Sequence, residues 1–365
     1  MNNKFYIFLA ISIFLFSCQS NNKNTEKKIF LKNYTINGKT IFNNDVNIIY
    51  LFSVDSILIA KLNDDNYHYA VYNPKTLKLL GKFARKGNGP NEFPDVLRYE
   101  QNIIENNQIK IWVYGYNTNK IYLINVSNSI KNQATTIDTI LNVEPQIKFS
   151  NLFVTNDYKV IGNIRNTTTD MKRLLIYDIE KNKIVKEVDL FPKINIDNED
   201  IAFIFYKKNM LHNSILVSNK ELSKFASVLI RFNRVDIFDA NCNTLNFYEG
   251  KNNNTKADIK DFLATKLEER GNIKQYYFYA TSSSNYIYTL YYNQLYSEYP
   301  KSIPVKIRIF NWNAEPVCEI NVPDYLTTFT VDEKNGIMYG VAYFDEKILK
   351  YDISSILNEI KTESR

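Results

Sequence analysis

Short runs in which apolar and polar residues alternate recur along the chain from about residue 29 onward. The clearest are residues 109–114 (IKIWVY) and residues 306–310 (KIRIF). A period of two places one side of a segment in a core and the other in solvent, which predicts half-buried strands. Asn is the main residue between the runs, at 49 of 365 positions, and it tolerates the conformations of tight turns. The pattern therefore predicts a mainly β protein.

One longer pattern occurs six times along the chain. It is a strand that ends, in five of the six copies, on Tyr or Phe followed by Asp or Asn; a polar turn follows, and in most copies a further strand. The copies are residues 68–83, 120–130, 173–190, 234–250, 305–322 and 348–356. Further strand-like runs precede the copies, among them residues 54–62, 158–165, 285–292 and 336–344. A repeat of this length is typical of β-propellers.

Six groups of four short antiparallel strands predict an all-β fold, a six-bladed β-propeller. The last copy stops after its third strand, and residues 29–36 form a strand candidate without an obvious partner. An N-terminal strand that completes the last blade closes the ring and removes its open edges. A two-sheet sandwich, or two unrelated all-β domains, is the alternative.

Helical spacing is clear in one segment. Residues 258–270 place Ile259, Phe262, Leu263 and Leu267 on one face, and Gly271 follows as a stop signal. We expect a helix inserted there, between the fourth and fifth blades. A second insertion at residues 195–211, which begins near the acidic DNED segment (197–200), is a candidate for a helical turn.

The N-terminus has the pattern of an export signal. Lys4 precedes an uncharged apolar run, residues 5–16, which is shorter than the roughly 20 residues that span a bilayer. The following Leu-Phe-Ser-Cys resembles the lipobox of bacterial lipoproteins, which makes Cys18 the lipidated mature N-terminus; a cleaved secretory signal with an incidental cysteine is the alternative. We therefore expect a signal peptide (1–17), a polar tether (18–28) and one propeller domain (29–361).

Composition narrows the chemistry. The 27 Tyr and 23 Phe favour strands, and the net charge of +6, spread along the chain, does not indicate nucleic-acid binding. The two histidines, His68 and His212, cannot build a three-His metal site. The two cysteines that follow Cys18, Cys242 and Cys318, either form a disulfide in an oxidising compartment or stay as separate buried thiols.

The most distinctive segment is GKFARKGNGPNEF, residues 81–93. Its glycines permit unusual backbone angles, and two interpretations compete. In the first, the segment is a tight crossover between blades in which Arg85 pairs with Glu92 or another carboxylate. In the second, Arg85, Lys86 and the backbone N–H groups near Gly87 and Gly89 bind an anion at the mouth of the channel. The spacing does not fit a P-loop.

The same segment carries a family resemblance. Residues Gly87, Asn88, Gly89, Pro90, Asn91, Glu92 and Phe93 resemble the Gly-x-Gly-Pro-x-Glu-Phe segment of the TolB-like six-bladed β-propeller lipoproteins, and residues 331–353 are similar to the last blade of that family. The resemblance implies a monomeric propeller on an exported lipid anchor, in the cell envelope at the outer membrane, facing the periplasm or the cell exterior. It implies no catalytic residue, because most members have no assigned reaction.

Other candidate binding residues are few. The fifth repeat concentrates tyrosines, of which Tyr292, Tyr296 and Tyr299 are candidates for an exposed aromatic rim that contacts a glycan or peptide. Three arginines (Arg165, Arg231 and Arg234) either line the channel or rim or form structural ion pairs. Asp64, Asp65 and residues 197–200 offer oxygen ligands for Ca²⁺, but their spacing fits neither an EF-hand nor a calcium repeat, and solvated turns explain them better.

These observations predict a lipid-anchored binding module for a protein, peptide or glycan, without catalysis and without a cofactor. The alternative is an envelope hydrolase or lyase that holds a calcium-like metal on oxygen ligands in the central channel. No nucleophile elbow, catalytic cysteine context or multi-His pattern supports a specific reaction. A structural envelope component with no small ligand is a third possibility.

Overall fold

Six small antiparallel sheets form the blades of a β-propeller, as the repeat predicted. The structure is a computed structural model that describes residues 29–43, 47–64, 66–89, 91–94, 97–165, 171–191, 201–266, 269, 272–298 and 304–363. The first strand of each blade is its innermost strand, and the chain then runs outward across the sheet. The predicted signal peptide and tether, with Cys18, lie outside the described residues.

The strands of the first three blades follow one another directly in the sequence. Blade 1 contains β3 to β6, blade 2 contains β7 to β10 and blade 3 contains β11 to β14. Their bounds are β3 (Ile48–Val54), β4 (Ile57–Leu62), β5 (Tyr67–Tyr72), β6 (Leu79–Arg85), β7 (Leu97–Glu105), β8 (Gln108–Gly115), β9 (Lys120–Asn125), β10 (Ile137–Asn142), β11 (Phe149–Val154), β12 (Lys159–Ile164), β13 (Lys172–Asp178) and β14 (Lys183–Asp189).

The other three blades combine later strands with two from the N-terminus. Blade 4 contains β15 to β18, blade 5 contains β19 to β22 with β1 added, and blade 6 contains β23 to β25 with β2 added. The bounds are β1 (Asn33–Thr35), β2 (Lys39–Asn43), β15 (Ser214–Ser218), β16 (Lys224–Leu229), β17 (Arg234–Asp239), β18 (Thr244–Glu249), β19 (Lys274–Ser282), β20 (Tyr286–Leu295), β21 (Val305–Asn311), β22 (Pro316–Val322), β23 (Thr328–Asp332), β24 (Ile337–Ala342) and β25 (Lys347–Asp352).

An N-terminal strand closes the ring, as expected, but the closing strand lies later than the segment singled out from the sequence. Strand β2 pairs antiparallel with β25 and completes blade 6. The predicted segment 29–36 instead contains β1, which pairs parallel with β22 as a fifth strand of blade 5. The N-terminal region therefore covers the outer edges of two neighbouring blades, which removes edges open to aggregation.

The repeated sequence element is the third strand of each blade, namely β5, β9, β13, β17, β21 and β25. The abundance of Asn has the predicted cause. Of the 17 non-glycine residues with positive φ in the described ranges, eight are Asn, whereas only Gly87 and Gly336 supply positive φ among the glycines. Asn therefore takes the place of Gly in many of the turns of this propeller.

The core is divided among the contacts between blades. Six clusters of buried apolar residues each join one pair of neighbouring blades, and they account for the ring completely: blades 1 and 2, 2 and 3, 3 and 4, 4 and 5, 5 and 6, and 6 and 1. Tyrosines and phenylalanines such as Tyr69, Phe149 and Tyr288 are fully buried within them. The aromatic excess is therefore mostly packing between blades.

The described residues form four α-helices outside the blades, two more than the sequence indicated. The predicted inserted helix is α3 (Lys256–Ala264), which begins with a Thr255–Asp258 capping box and ends earlier than residue 270. The second insertion contains α2 (Ile201–Leu211). The sequence pattern does not indicate helix α1 (Val126–Asn132) or the C-terminal α4 (Ser354–Glu363), because each begins inside a repeat copy, just after its strand. None of the helices in the described ranges is long and apolar enough to cross a bilayer.

The two internal cysteines are separate buried thiols. Cys242 packs between blades 3 and 4, whereas Cys318 packs between blades 5 and 6. Burial raises the pKa of each thiol to about 12. The disulfide alternative is therefore wrong, and both residues act as small apolar side chains.

Candidate functional site

The innermost strands surround a central channel with a cavity of about 1260 Å³. All six innermost strands run in the same sense, so the channel has one mouth where they begin and another where they end. We name the first the basic mouth, because the described residues that line it include the cationic side chains of Lys61, Arg98, Arg165, Lys172 and Arg173. The opposite mouth is mixed in charge and is lined by Asp55, Asp332, Glu333, Lys220, Lys334 and Lys361.

Three cations surround one aromatic ring at the basic mouth. The guanidinium of Arg98, the ammonium of Lys148 and the guanidinium of Arg165 lie 4.9, 5.4 and 5.9 Å from the ring centre of Tyr116. We name these four residues the Tyr116 cluster. Among the described residues, none of the three cations forms an ion pair with a carboxylate. The cluster therefore presents net positive charge at the edge of the channel.

Backbone and amide oxygens hold two of these cations in position. Arg98 Nη1 donates to the carbonyl of Ser150 at 3.0 Å, across the junction of blades 2 and 3. Lys148 Nζ donates to Asn119 Oδ1 at 2.6 Å and to the Tyr116 carbonyl at 3.0 Å. These bonds orient the cations without neutralising them. Arg165 is exposed, and its Nη1 donates one long hydrogen bond of 3.4 Å to the Tyr116 hydroxyl. It is therefore the most available of the three cations for contact with a ligand.

An aromatic wall continues from this cluster into the channel. Phe52 stacks on Tyr99 with 3.7 Å between ring centres, and Tyr50 lies 6.0 Å from Tyr279. Tyr50 is 39% exposed, so its ring is accessible from the channel. Burial raises the pKa of the Tyr50 hydroxyl, and the charge of Arg98 opposes that rise. Accessible aromatic faces next to cations suit a ligand that has both flat apolar surfaces and negative charge.

Below the basic mouth, a buried ion network joins blades 3 and 4. Arg173 Nη1 lies 2.6 Å from Asp236 Oδ2, and Arg234 Nε lies 2.7 Å from Asp236 Oδ1. Arg234 also reaches Glu249 at 3.2 Å, so its role is the structural ion pair that was one of its two alternatives. Burial lowers the pKa of Arg173, while Asp236 stabilises its charged form. This network links blade 3 to blade 4.

Both histidines are buried structural residues. His68 Nδ1 lies 3.2 Å from the ammonium of Lys61 in blade 1. His212 Nδ1 lies 3.2 Å from the carbonyl of Phe191. Burial lowers the pKa of His212 to about 4, so this residue is neutral at neutral pH. Protonating His212 below its ordinary pKa of about 6.5 disfavours the folded state, because the unfolded chain binds that proton more tightly.

The loop after blade 1 has the geometry of a crossover. Arg85 Nε pairs with Glu92 Oε1 at 3.5 Å, and Glu92 Oε2 accepts a hydrogen bond from Gly89 N–H at 2.9 Å. Gly87 N–H donates to the carbonyl of Phe93, a buried residue, and the ammonium of Lys86 bonds the carbonyl of Asp64. The N–H groups that the anion-binding interpretation requires are thus used within the loop. Asn88 lies at its exposed tip, and Pro90 lies outside the described residues.

The two described tyrosines of the candidate aromatic rim, Tyr292 and Tyr296, do not form an exposed pair. Tyr292 is 6% exposed, stacks on Phe278 and donates from its hydroxyl to the Leu326 carbonyl at 2.6 Å. It belongs to the core between blades 5 and 6, because alternation places it on the face that meets the next blade. Tyr296 is half-buried under the guanidinium of Arg231, 4.2 Å from its ring centre. Tyr299 lies outside the described residues.

The described residues offer no metal-binding cluster. No three His, Cys, Asp or Glu side chains in that part of the chain are grouped so that they could hold one ion. Asp64 accepts hydrogen bonds from the backbone N–H groups of Asn66 and Tyr67 and pairs with Lys82, which keeps the pKa of its carboxyl below the usual range. It is a turn-forming residue. Asp65 and the acidic segment 197–200 lie outside the described residues.

Two of the solved structures with a similar fold come from Bacteroides. A DUF4221 family member from Bacteroides vulgatus matches with a TM-score of 0.58 at 12% identity, over 87% of this chain and 97% of its own. A protein of Bacteroides fragilis named as exported matches with a TM-score of 0.52 at 11% identity, over 87% and 98%. The likeness is one of fold. No family model and no curated protein matches the sequence.

The residues at the basic mouth were only partly visible in the sequence. Arg165 was a candidate for the channel, and the structure places it there. Arg98, Tyr116 and Lys148 were missed, because they come from two different blades and meet only when the ring is closed. Their one signal in the sequence was position, since Arg98 and Lys148 lie at or just before the start of an innermost strand.

Proposed function

We propose that this chain is a binding module of the cell envelope, held by a lipid at Cys18, whose peptide, protein or glycan ligand carries negative charge and enters the channel at the basic mouth. The Tyr116 cluster carries the proposal: three cations without carboxylate partners in the described residues lie beside an accessible aromatic wall. Such an arrangement attracts anions and then offers them flat contacts. No arrangement of the described residues favours the hydrolase alternative.

The charge distribution along the channel supports a direction of entry. The carboxylates among the described lining residues are Asp55, Asp332 and Glu333, and all three lie at the opposite mouth. Glu333 is partly neutralised by Lys361, 3.2 Å away. An anionic ligand is therefore attracted at one end of the channel and meets mixed charge at the other. The rigid blades hold this charge pattern fixed.

Binding of acidic oligomers tests the proposed ligand chemistry. We expect the mature chain to bind either a tetragalacturonate or a tetraglutamate peptide, and the two probes distinguish a glycan from a peptide ligand. Arg165→Glu should weaken that binding at least about tenfold, because a repulsive charge replaces an attractive one at the exposed edge of the Tyr116 cluster. Calorimetric titration at low salt measures the affinity, which should fall as salt is added.

A matched variant at the opposite mouth controls for net charge. Lys220 is also exposed and also lines the channel, so Lys220→Glu makes the same change in charge as Arg165→Glu. We expect it to change the affinity by less than about threefold. Equal losses in the two variants, or no binding of either acidic probe by the wild type, contradict the proposed entry at the basic mouth.

The lipid anchor is a separate part of the proposal. It is supported by the lipobox-like Leu-Phe-Ser-Cys, by the resemblance of residues 87–93 to TolB-like lipoproteins, and by a structural neighbour named as exported. We expect the expressed precursor to incorporate radiolabelled palmitate, and Cys18→Ser to lose all of the label because the acylated thiol is gone. An unlabelled wild type, or a labelled Cys18→Ser variant, contradicts the anchor.

A further inference from the structure

A buried arginine beside the basic mouth lacks an anionic partner. Arg231 lies two residues after the end of β16 and is 4% exposed. Among the described residues the only hydrogen bond of its guanidinium joins Nη1 to Gln275 Oε1 at 3.0 Å, and its Nε has no hydrogen-bond partner. Burial lowers the pKa of this guanidinium to about 10, and the residue stays charged at neutral pH. A buried charge without a counter-charge is costly to a fold.

Other shielded arginines of the propeller differ from Arg231 in this respect. Arg173 and Arg234 share the carboxylate of Asp236, and Arg308 lies 2.7 Å from Glu319. The usual pattern in this fold is thus a shielded guanidinium with a carboxylate within hydrogen-bond distance. At Arg231, the position that a carboxylate occupies elsewhere is taken by a neutral amide and by the ring of Tyr296.

Arg231 lines a small cavity that adjoins the channel. The cavity has a volume of about 310 Å³, and its other lining residues are Met210, Asn213, Ile230, Gln275, Phe278 and Tyr296. Met210, Asn213, Ile230 and Phe278 also line the channel, so the two spaces are neighbours. Two amides and one cation can bind a polar head, while Met210, Ile230 and Phe278 offer an apolar wall. We name this space the Arg231 pocket.

A second buried donor lies close to the pocket. Gln294 on β20 is directly opposite Gln275 on β19, so the two side chains lie on the same face of the sheet. The amide nitrogen of Gln294 is buried and has no hydrogen-bond partner among the described residues. Buried donors are normally satisfied in folded proteins, and exceptions often mark a missing ligand or water. Both unsatisfied groups near the pocket are donors, which calls for an acceptor.

We propose that the Arg231 pocket binds a single carboxylate group carried at the end of the ligand that enters the basic mouth. A carboxylate is planar and accepts two parallel hydrogen bonds from a guanidinium. It also carries one negative charge, which matches the one buried positive charge, whereas a phosphate dianion leaves a buried charge uncompensated. The identity of the larger ligand rests on the proposed function, whereas carboxylate binding in the Arg231 pocket can be tested separately with small probes.

Titration of the mature chain with small carboxylates tests the pocket. The probes are glucuronate, for an acidic sugar, and N-acetyl-L-leucine, for a peptide C-terminus; glucose and N-acetyl-L-leucinamide are their neutral controls. We expect at least one carboxylate to bind with a Kd of about 1 mM or tighter, its neutral control not to bind, and Arg231→Gln to weaken binding at least about tenfold. Binding of glucuronate indicates that the bound carboxylate comes from an acidic sugar, and binding of N-acetyl-L-leucine indicates that it comes from a peptide C-terminus.

Thermal unfolding of the same variant separates loss of binding from loss of fold. Because Arg231→Gln removes a buried charge that lacks a counter-charge, the variant should unfold at the same temperature as the wild type or higher. The proposal is overturned if Arg231→Gln unfolds at a clearly lower temperature, if neither carboxylate binds, if a neutral control binds as well, or if inorganic phosphate binds more tightly than both. If Arg165→Glu weakens the binding of an acidic oligomer but neither small carboxylate binds, the proposed function stands and only the Arg231 pocket is overturned.

Discussion

A chain that begins at residue 44 should fail to form a closed propeller. It lacks β2, which pairs with β25 and completes blade 6. It also loses Ile41 and Phe42, which pack against the cluster between blades 6 and 1, where Phe42 stacks on Tyr72 at 5.8 Å. We expect the melting temperature to fall by about 10 °C or more, because apolar burial and a row of strand hydrogen bonds are lost together. The open edge of β25 should also promote aggregation.

Two longer chains provide the controls for this truncation. A chain that begins at residue 29 keeps both N-terminal strands, whereas one that begins at residue 37 keeps β2 and loses β1. In differential scanning calorimetry, the melting temperature of the chain from residue 37 should lie much closer to that of the chain from residue 29 than to that of the chain from residue 44. If the chain from residue 44 melts cooperatively within a few degrees of the longest, β2 does not close the ring.

Asp236→Ala should be the most damaging single substitution at the junction of blades 3 and 4. Asp236 is 2% exposed, and its carboxylate pairs with both Arg173 and Arg234. Its removal therefore leaves both arginines without their shared counter-charge. Breaking a buried ion pair from one side costs about 3–5 kcal/mol. We expect a loss of that size in the free energy of unfolding, measured by urea titration and followed by intrinsic fluorescence.

An exposed ion pair supplies the comparison for Asp236. Asp157 pairs with Lys159 on the turn between β11 and β12, where both side chains are in contact with solvent. Asp157→Ala should cost less than about 1 kcal/mol, because water screens the pair. A loss of less than 1 kcal/mol in Asp236→Ala, or equal losses in the two variants, shows that the buried network does not stabilise the junction of blades 3 and 4.

The fold class and the number of blades could be predicted from the sequence, because both depend on local patterns. Alternation along segments such as residues 109–114 marks one strand at a time, and the six copies of the repeat give the number of blades. Which N-terminal strand closes the ring could not be predicted from the sequence. Residues 29–36 and 39–43 are both short and strand-like, and only the pairing with β22 or β25 separates their roles.

The candidate site followed only in part, because it consists of contacts between distant segments. The conspicuous loop at residues 85–93 has its polar groups paired internally, as one of its two interpretations required. By contrast, Arg98 and Lys148 lie 50 positions apart and look ordinary in the sequence, yet they meet at Tyr116. The sequence gives no reason to prefer Arg231 over Arg234, and the missing counter-charge of Arg231 is visible only in the packing around it.

Hydrogen-exchange mass spectrometry with a bound acidic oligomer tests the central claim most directly. The oligomer is whichever of tetragalacturonate and tetraglutamate binds, and the measurement compares amide protection with and without it. We predict that protection is concentrated where the Tyr116 cluster lies, in residues 97–119 and 148–165, and that residues 218–222 and 282–285 at the opposite mouth are unchanged. Protection confined to the opposite mouth, or to the outer faces of the blades, contradicts binding at the basic mouth.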